Sequence, residues 1–193
     1  MTDRIRIIDT QTLHKGWSRL TRTRLDYLRP DGTWQRQERE VFDHGHAAAV
    51  LLHDPVRDTV LLTRQFRLPV RLNGADGWII EVCAGLLDGD DPETCARREA
   101  LEETGHAIDQ LEFAFNAVMS PGSLTESVSC FVGTFHDGTR QGDGGGLPHE
   151  GEDIEVIEMP FSEALDAIAT GAIFDAKTIM LLQYLALRRA GQR

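Results

Sequence analysis

Residues 84–106 read AGLLDGDDPETCARREALEETGH, and the closing run Arg98-Glu99-Ala100-Leu101-Glu102-Glu103-Thr104-Gly105 decides how the chain is read. Three carboxylates fall within five residues of a predicted helix, Glu99 and Glu103 four apart and Glu99 and Glu102 three apart. Side chains at those spacings leave a helix from one face. Like charges so placed destabilise a helix by roughly 0.2–0.5 kcal/mol per pair, so the arrangement gains nothing without a cation. Hard divalent cations such as Mg²⁺ bind carboxylate oxygens, usually together with substrate phosphates. The bland alternative is a solvated acidic face. The setting argues against it, because a glycine loop precedes the helix, Pro92 suits its first turn and Gly105 its C-terminal stop.

The segment resembles the Nudix box, G-x5-E-x7-R-E-U-x-E-E-x-G-U with U apolar, the signature of hydrolases that split nucleoside diphosphates linked to another group. Its closing R-E-x-x-E-E-x-G is matched at every fixed position. The stretch between Gly85 and Arg98 is one residue short, Asp91 stands where the first glutamate belongs, and His106 replaces the apolar last residue. In the family that first glutamate braces the loop against the box arginine, so Asp91 is expected to pair with Arg98 over a shorter reach.

Composition fits a plain soluble enzyme. At 193 residues the chain is long enough for one core with a small appendage. A formal charge of −11 argues against a nucleic-acid partner, which normally calls for basic patches. No apolar run approaches a membrane span, and residues 1–20 hold no signal-peptide core. Cys83, Cys95 and Cys130 are odd in number and scattered, so they read as buried thiols in a reducing, cytoplasmic setting. Cys83 has no apparent base beside it and is not read as a nucleophile. His44, His46 and the other histidines lack ligand spacing and read as surface or hydrogen-bonded residues.

Outside the box, Arg29-Pro-Asp-Gly32 separates two alternating runs, predicting a hairpin of strands 16–28 and 33–43. A second hairpin joins 47–52 to 59–63, a loop covers 68–77, and a short buried strand at 78–82 leads into the glycine loop. Strands are expected at 107–119, 126–136 and 153–159, and helices from Ser162 to near Gly171 and from Asp175 to Ala190. Residues 137–151 hold six glycines and few apolar side chains, and read as a mobile loop able to close over substrate. Together with the resemblance, the pattern implies a Nudix α/β/α sandwich with a mixed sheet over residues 44–193. Residues 1–43 would form an N-terminal β-rich extension.

The whole chain resembles the bacterial GDP-mannose pyrophosphatases, a Nudix branch close to the ADP-ribose pyrophosphatases. The matching segments are Arg39-Glu40-Val41, Arg64-Gln65-Phe66-Arg67, Cys83-Ala84-Gly85-Leu86-Leu87-Asp88, Ser120-Pro121-Gly122 and Thr125-Glu126, followed by Gly144-Gly145-Gly146, Glu152-Asp153-Ile154-Glu155-Val156 and Lys177-Thr178. The triple glycine and the shortened box favour the GDP-mannose branch; Pro121, sixteen residues past Gly105, marks the nucleotide-sugar group more broadly.

That resemblance implies two or three Mg²⁺ ions, with Mn²⁺ as a substitute, held by Glu99, Glu102, Glu103, Glu152 and the backbone carbonyl of Ala84. Glu103 and Glu152 would be catalytic, with Glu150 the base that deprotonates water. Arg39 and Arg67 would orient the diphosphate through planar forks, although a surface ion pair is open for each on sequence alone. Trp17 stands where the family usually places a base-stacking tyrosine; a core tryptophan is the other reading. Glu38, Glu40, Ala84, Gly85, Leu86, Glu126, Gly151 and Lys177 complete the substrate set, with Lys177 also open to a plain surface role. Glu38 departs from the basic or polar residue of the branch.

The expected reaction is hydrolysis of a nucleoside diphosphate sugar, GDP-mannose first and ADP-ribose second. It would be carried out by a homodimer that exchanges N-terminal strands. A Nudix-fold sensor that binds without cleaving is the other class; it usually loses box glutamates or carries a DNA-binding domain. This chain keeps all three glutamates and leaves no room for a winged helix.

Overall fold

The computed structural model describes residues 3–191, which divide into two compact units. The first runs to His46 and includes Val118–Ser127; the second takes Ala47–Ala117 and the chain from Val128 onward. The first unit thus takes in a second segment besides the extension expected over residues 1–43. The reason is a backbone attachment: Phe42 N–H donates to Ser123 O at 2.8 Å and Thr125 N–H to Phe42 O at 3.1 Å.

In the first unit β1 (Ile5–Lys15), β2 (Arg19–Leu28) and β3 (Trp34–Asp43) form an antiparallel sheet in that order. The Arg29–Gly32 turn closes as expected, with Gly32 at φ +83° and the Asp31 carboxylate accepting the Thr33 N–H at 3.0 Å. β2 starts at Arg19 instead of 16 because Gly16 N–H bonds Ser18 O and makes a turn of that segment. The sheet carries cross-strand ion pairs: Arg19–Asp43, Arg22–Glu40, Arg24–Asp9 and Arg36–Asp26. Among its ten residues, β3 has none that is fully buried.

The second unit is built on β4 (Ala47–Asp54), all eight of whose residues are buried. It pairs antiparallel with β5 (Thr59–Phe66) and parallel with β9 (Ser127–Thr134). β10 (Glu155–Pro160) lies beyond β5, β8 (Leu111–Val118) beyond β9, and β6 (Trp78–Glu81) also pairs with β5. The Gly-rich start of the box, expected as a loop, is a strand, β7 (Cys83–Leu86), paired with Ala47–Val50. Residues 68–77, expected as a loop, begin with the five-residue helix α1 (Leu68–Leu72), started by Pro69.

Strand periodicity sorts the buried residues of β4 onto two faces. Ala48, Val50 and Leu52 pack with Cys95, Ala96 and Ala100 of α2 (Pro92–Thr104). Ala49 and Leu51 face the other side, where α4 (Ala176–Arg189) packs on β4 through its Leu181, Leu182 and Leu185 face. α3 (Phe161–Thr170) joins α4 and β10. The unit is thus the expected helix–sheet–helix sandwich, and the small side chains Ala48, Ala96 and Ala100 let α2 lie close against the strand.

Asp91 does not meet Arg98. It is the N-cap of α2, accepting the N–H groups of Glu93 and Thr94, each at 3.1 Å, and the Thr94 hydroxyl at 2.6 Å. Capping wins because the first turn leaves unpaired N–H groups that a short carboxylate can reach. Gly105, at φ +74°, ends the helix as expected. Asp91→Ala is therefore expected to lower unfolding stability by about 1 kcal/mol, a typical cap loss. Urea titration checks this; an unchanged midpoint would remove the cap assignment.

Candidate active site

α2 presents its acids unequally. Glu103 is 1% exposed, Glu99 is 8% exposed, and Glu102 is only half-buried. Gly85 of β7 explains the depth of Glu99, since a Cβ there would lie 1.9 Å from its Oε1. Arg98 serves three carboxylates, at 2.7 Å from Glu99, 3.2 Å from Glu102 and 3.4 Å from Asp90, and donates to the Leu86 carbonyl at 3.3 Å.

Burial pushes the Glu99 carboxyl up to about 7; Arg98 opposes this, while Glu102 and Glu152 add to it. Burial likewise raises Glu103 to about 8, reinforced by Glu99 and Glu152 and opposed by Arg67 and a hydrogen bond from Cys83. The Cys83 thiol is pushed well up by burial and then by Glu103. It is no nucleophile, because the thiolate is the reactive form.

Residues 141–146 are pinned to the end of α2. Gly145 and Gly146 donate to the carbonyls of Glu103 and Glu102 at 2.9 and 3.0 Å, and Gln141 and Gly142 to that of Gly105. The middle of the expected loop is thus an anchored segment whose backbone N–H groups satisfy helix-end carbonyls. Glu152 accepts the Leu147 N–H at 2.8 Å. Glu150 ends a 3-10 turn (Pro148–Glu150), is well exposed and lies 3.7 Å from His149; Gly151, at φ +80°, follows.

Arg67 and Lys177 meet on a residue that the sequence reading missed. Glu81, 2% exposed at the end of β6, accepts Arg67 Nε at 2.6 Å on one oxygen and Lys177 Nζ on the other. Lys177 also donates to Asp175 at 2.9 Å, and Asp175 caps α4 through Thr178. Burial would lower the Lys177 pKa, but Glu81 and then Asp175 outweigh it and raise it. Lys177 is therefore no surface lysine. The available signal was a glutamate inside the apolar run Trp78–Cys83, since buried charges are rare unless paired.

The remaining candidates belong to the first unit. Trp17 is 78% exposed and edge-on to His44 at 5.6 Å, so it is not a core residue. Arg39 donates to the Glu38 carbonyl and the Gln37 side chain, both at 2.8 Å, and pairs with no carboxylate among the described residues. Glu40 pairs with Arg22 at 3.0 Å. Glu126 lies 3.6 Å from His44, and His46 accepts the Ser127 N–H. His46 is thus a hydrogen-bonded residue, as expected, whereas Nδ1 of His44 is buried without a partner among the described residues.

A profile of the NUDIX domain matches residues 43–182. The chain belongs to the Nudix hydrolase family. The profile of the GDP-mannose pyrophosphatase NudK N-terminal domain matches residues 4–42. Proteins named GDP-mannose pyrophosphatase from Cronobacter sakazakii and Escherichia coli O157:H7 are 46% and 45% identical to this Nudix chain. The alignments cover 97% of this chain in each case, with 98% and 97% of the relatives. A crystal structure of an ADP compounds hydrolase shares the fold at TM-score 0.74, with 18% identity over 99% of this chain and 98% of the other.

Nudix hydrolases use divalent metal ions, and this donor set suits a hard one. Oε2 of Glu103 is buried and without a hydrogen-bond partner among the described residues, beside a second buried carboxylate. No three acidic, histidine or cysteine side chains among the described residues stand in closed ligating geometry. Glu99 turns to Arg98 and Glu152 to the Leu147 amide.

The raised carboxyls have a pH consequence with a definite sign. Between the ordinary value of 4.5 and about 7 to 8, the folded chain binds more protons than the unfolded one. Stability of the metal-free protein therefore falls as pH rises through that window. A cation that needs both carboxylates ionised should then stabilise most above it. The rise in Tm at saturating Mg²⁺ is expected to be larger at pH 8.5 than at pH 6. An equal or larger rise at pH 6 would contradict this.

Proposed function

We propose that this chain hydrolyses GDP-mannose to GMP and mannose 1-phosphate. The observation that carries this reading is the likeness to GDP-mannose pyrophosphatases along nearly the whole chain, with the N-terminal profile included. In this reading Glu99, Glu103, Glu152 and the Ala84 carbonyl hold Mg²⁺, with Glu102 a secondary ligand shared with Arg98. Bound there, the ion supplies charge neutralisation of the diphosphate and activation of water.

The chain's own groups supply the rest. Arg67, half-exposed and held through Nε by Glu81, keeps its terminal nitrogens for a phosphate, and its charge already acts on Glu103. Lys177 pairs with Glu81, the acid that holds Arg67, and so serves the site from behind, with its own reach to substrate limited by two carboxylates. Glu150, exposed near Glu152, is the proposed base; Gly85, Leu86 and Gly151 bring backbone close to the substrate. Trp17, Glu38, Arg39, Glu40 and Glu126 are assigned to base and phosphate recognition. Trp17 and Arg39 fit that role through an open indole face and a guanidinium free of carboxylates.

Glu103→Gln keeps the shape and removes the charge, and kcat is expected to fall at least about a hundredfold, the scale of lost transition-state charge stabilisation. Activity within about fivefold of the parent at saturating Mg²⁺ would overturn the role of Glu103. Glu102→Gln is expected to cost less. A panel of GDP-mannose, ADP-ribose and ADP-glucose tests the substrate; a preference for ADP-ribose would move the chain to the neighbouring branch. Release of free sugar and intact GDP would contradict diphosphate cleavage altogether.

The N-terminal unit is proposed to complete the partner's site in a strand-exchanged homodimer. A short sheet without a fully covered face needs a second surface to be stable. Mixing Arg39→Ala chains with Glu103→Gln chains is then expected to restore activity, because one site of the heterodimer holds neither change. No recovery after demonstrated subunit exchange would place Arg39 in its own subunit's site or outside any site.

A further inference from the structure

We propose that Gly144-Gly145-Gly146 is a positioning clasp that sets Glu152 against the last turn of α2, making one unit of two acids far apart in sequence. The proposal rests on the reading of Glu152 as a cation ligand.

The clasp is a continuous chain of bonds. Gly145 and Gly146 N–H groups donate to the carbonyls of Glu103 and Glu102, acceptors that the end of a helix leaves without intrahelical partners. Ile154 N–H returns to the Gly145 carbonyl at 3.1 Å, closing the segment on itself. Leu147, the next residue, donates its N–H to Glu152 Oε2 at 2.8 Å. From the backbone of Glu103 to the carboxylate of Glu152 every connection is a short backbone step or a hydrogen bond.

Only glycine fits this path. The three residues lie at φ +71°, +100° and +79°. A Cβ on Gly144 would stand 2.6 Å from the Glu103 carbonyl oxygen, and one on Gly146 2.6 Å from Glu152 Oε2. The second contact shows that the glycine makes room for the acid itself. The charge of Glu152 acts on the buried Glu103, so the spacing between the two acids matters to the site. Groups that orient ligands from outside typically change metal affinity or activity about 10–100-fold when altered.

Gly145→Ala is the informative change, because its Cβ would meet only the Ile154 carbonyl at 3.8 Å and acts through backbone conformation alone. In the full-length protein, Mn²⁺ binding measured by electron paramagnetic resonance and kcat are each expected to weaken about tenfold. KM should stay within about twofold. Combining it with Glu152→Gln should add little beyond Glu152→Gln alone, since both act through one carboxylate. Parental Mn²⁺ binding in Gly145→Ala, or additive losses in the double variant, would overturn the clasp while leaving Glu152 a ligand.

Amide hydrogen exchange on the parent protein does not depend on any variant folding. Gly145 and Gly146 are expected to be protected like the last turn of α2, and exchange at the rate of an open loop would overturn the clasp. Parental activity and Mn²⁺ binding in Glu152→Gln would remove the ligand assignment, and with it the clasp's role, whatever the exchange data show.

Discussion

Two carboxylates, Glu99 and Glu103, are buried side by side against β7, and much of the second unit is arranged around that unfavourable fact. Removing an isolated carboxylate from water costs roughly several kcal/mol even after relaxation. The chain answers locally. Gly85 gives up its Cβ so that Glu99 can enter, Arg98 stays beside it, and Cys83 turns its thiol to Glu103. Each answer is partial, as the raised values of about 7 and about 8 record. What remains is an attraction for positive charge held in a place that stability alone would not select.

A second charge group, built around the buried Glu81, repeats the theme with the opposite outcome. Arg67, Glu81, Lys177 and Asp175 hold two positive and two negative side chains, and each acid there has a cation within hydrogen-bond reach. This group is balanced, so it holds α4 and the end of β5 in register instead of recruiting an ion. The contrast separates a group that binds its own partners from one left short of them.

The sequence was most legible where a physical signal is local. Apolar runs showed β4 and β5, helical periodicity showed α4, the Pro and Gly punctuation showed α2, and the box spacing showed which acids share a face. It was least legible where partners are distant in the chain. Glu81 and Lys177 are 96 residues apart, and neither spacing nor charge run links them. β7 was hidden because Ala84 and Gly85 carry no strand signal; pairing with the buried edge of β4 makes the strand. Asp91 was misassigned because its neighbour at the family position suggested a side-chain partner, whereas the helix end offered closer donors. The glycine-rich segment read as mobile since composition reports conformational freedom and not where the freed backbone lands.

The first unit's sheet has consequences of another kind. Its strands are joined by backbone bonds and by exposed pairs such as Arg22–Glu40 and Arg19–Asp43, whereas β4 is enclosed by apolar side chains on both faces. Exposed pairs weaken as the Debye length shortens with added salt, while apolar burial does not. Concentrated salt therefore loosens the pairs across the N-terminal sheet, as it does exposed pairs of the second unit such as Arg64–Glu155, and leaves the apolar core around β4 intact. What differs between the units is how much each has besides such pairs: the second has a buried core, the first mainly its backbone ladder.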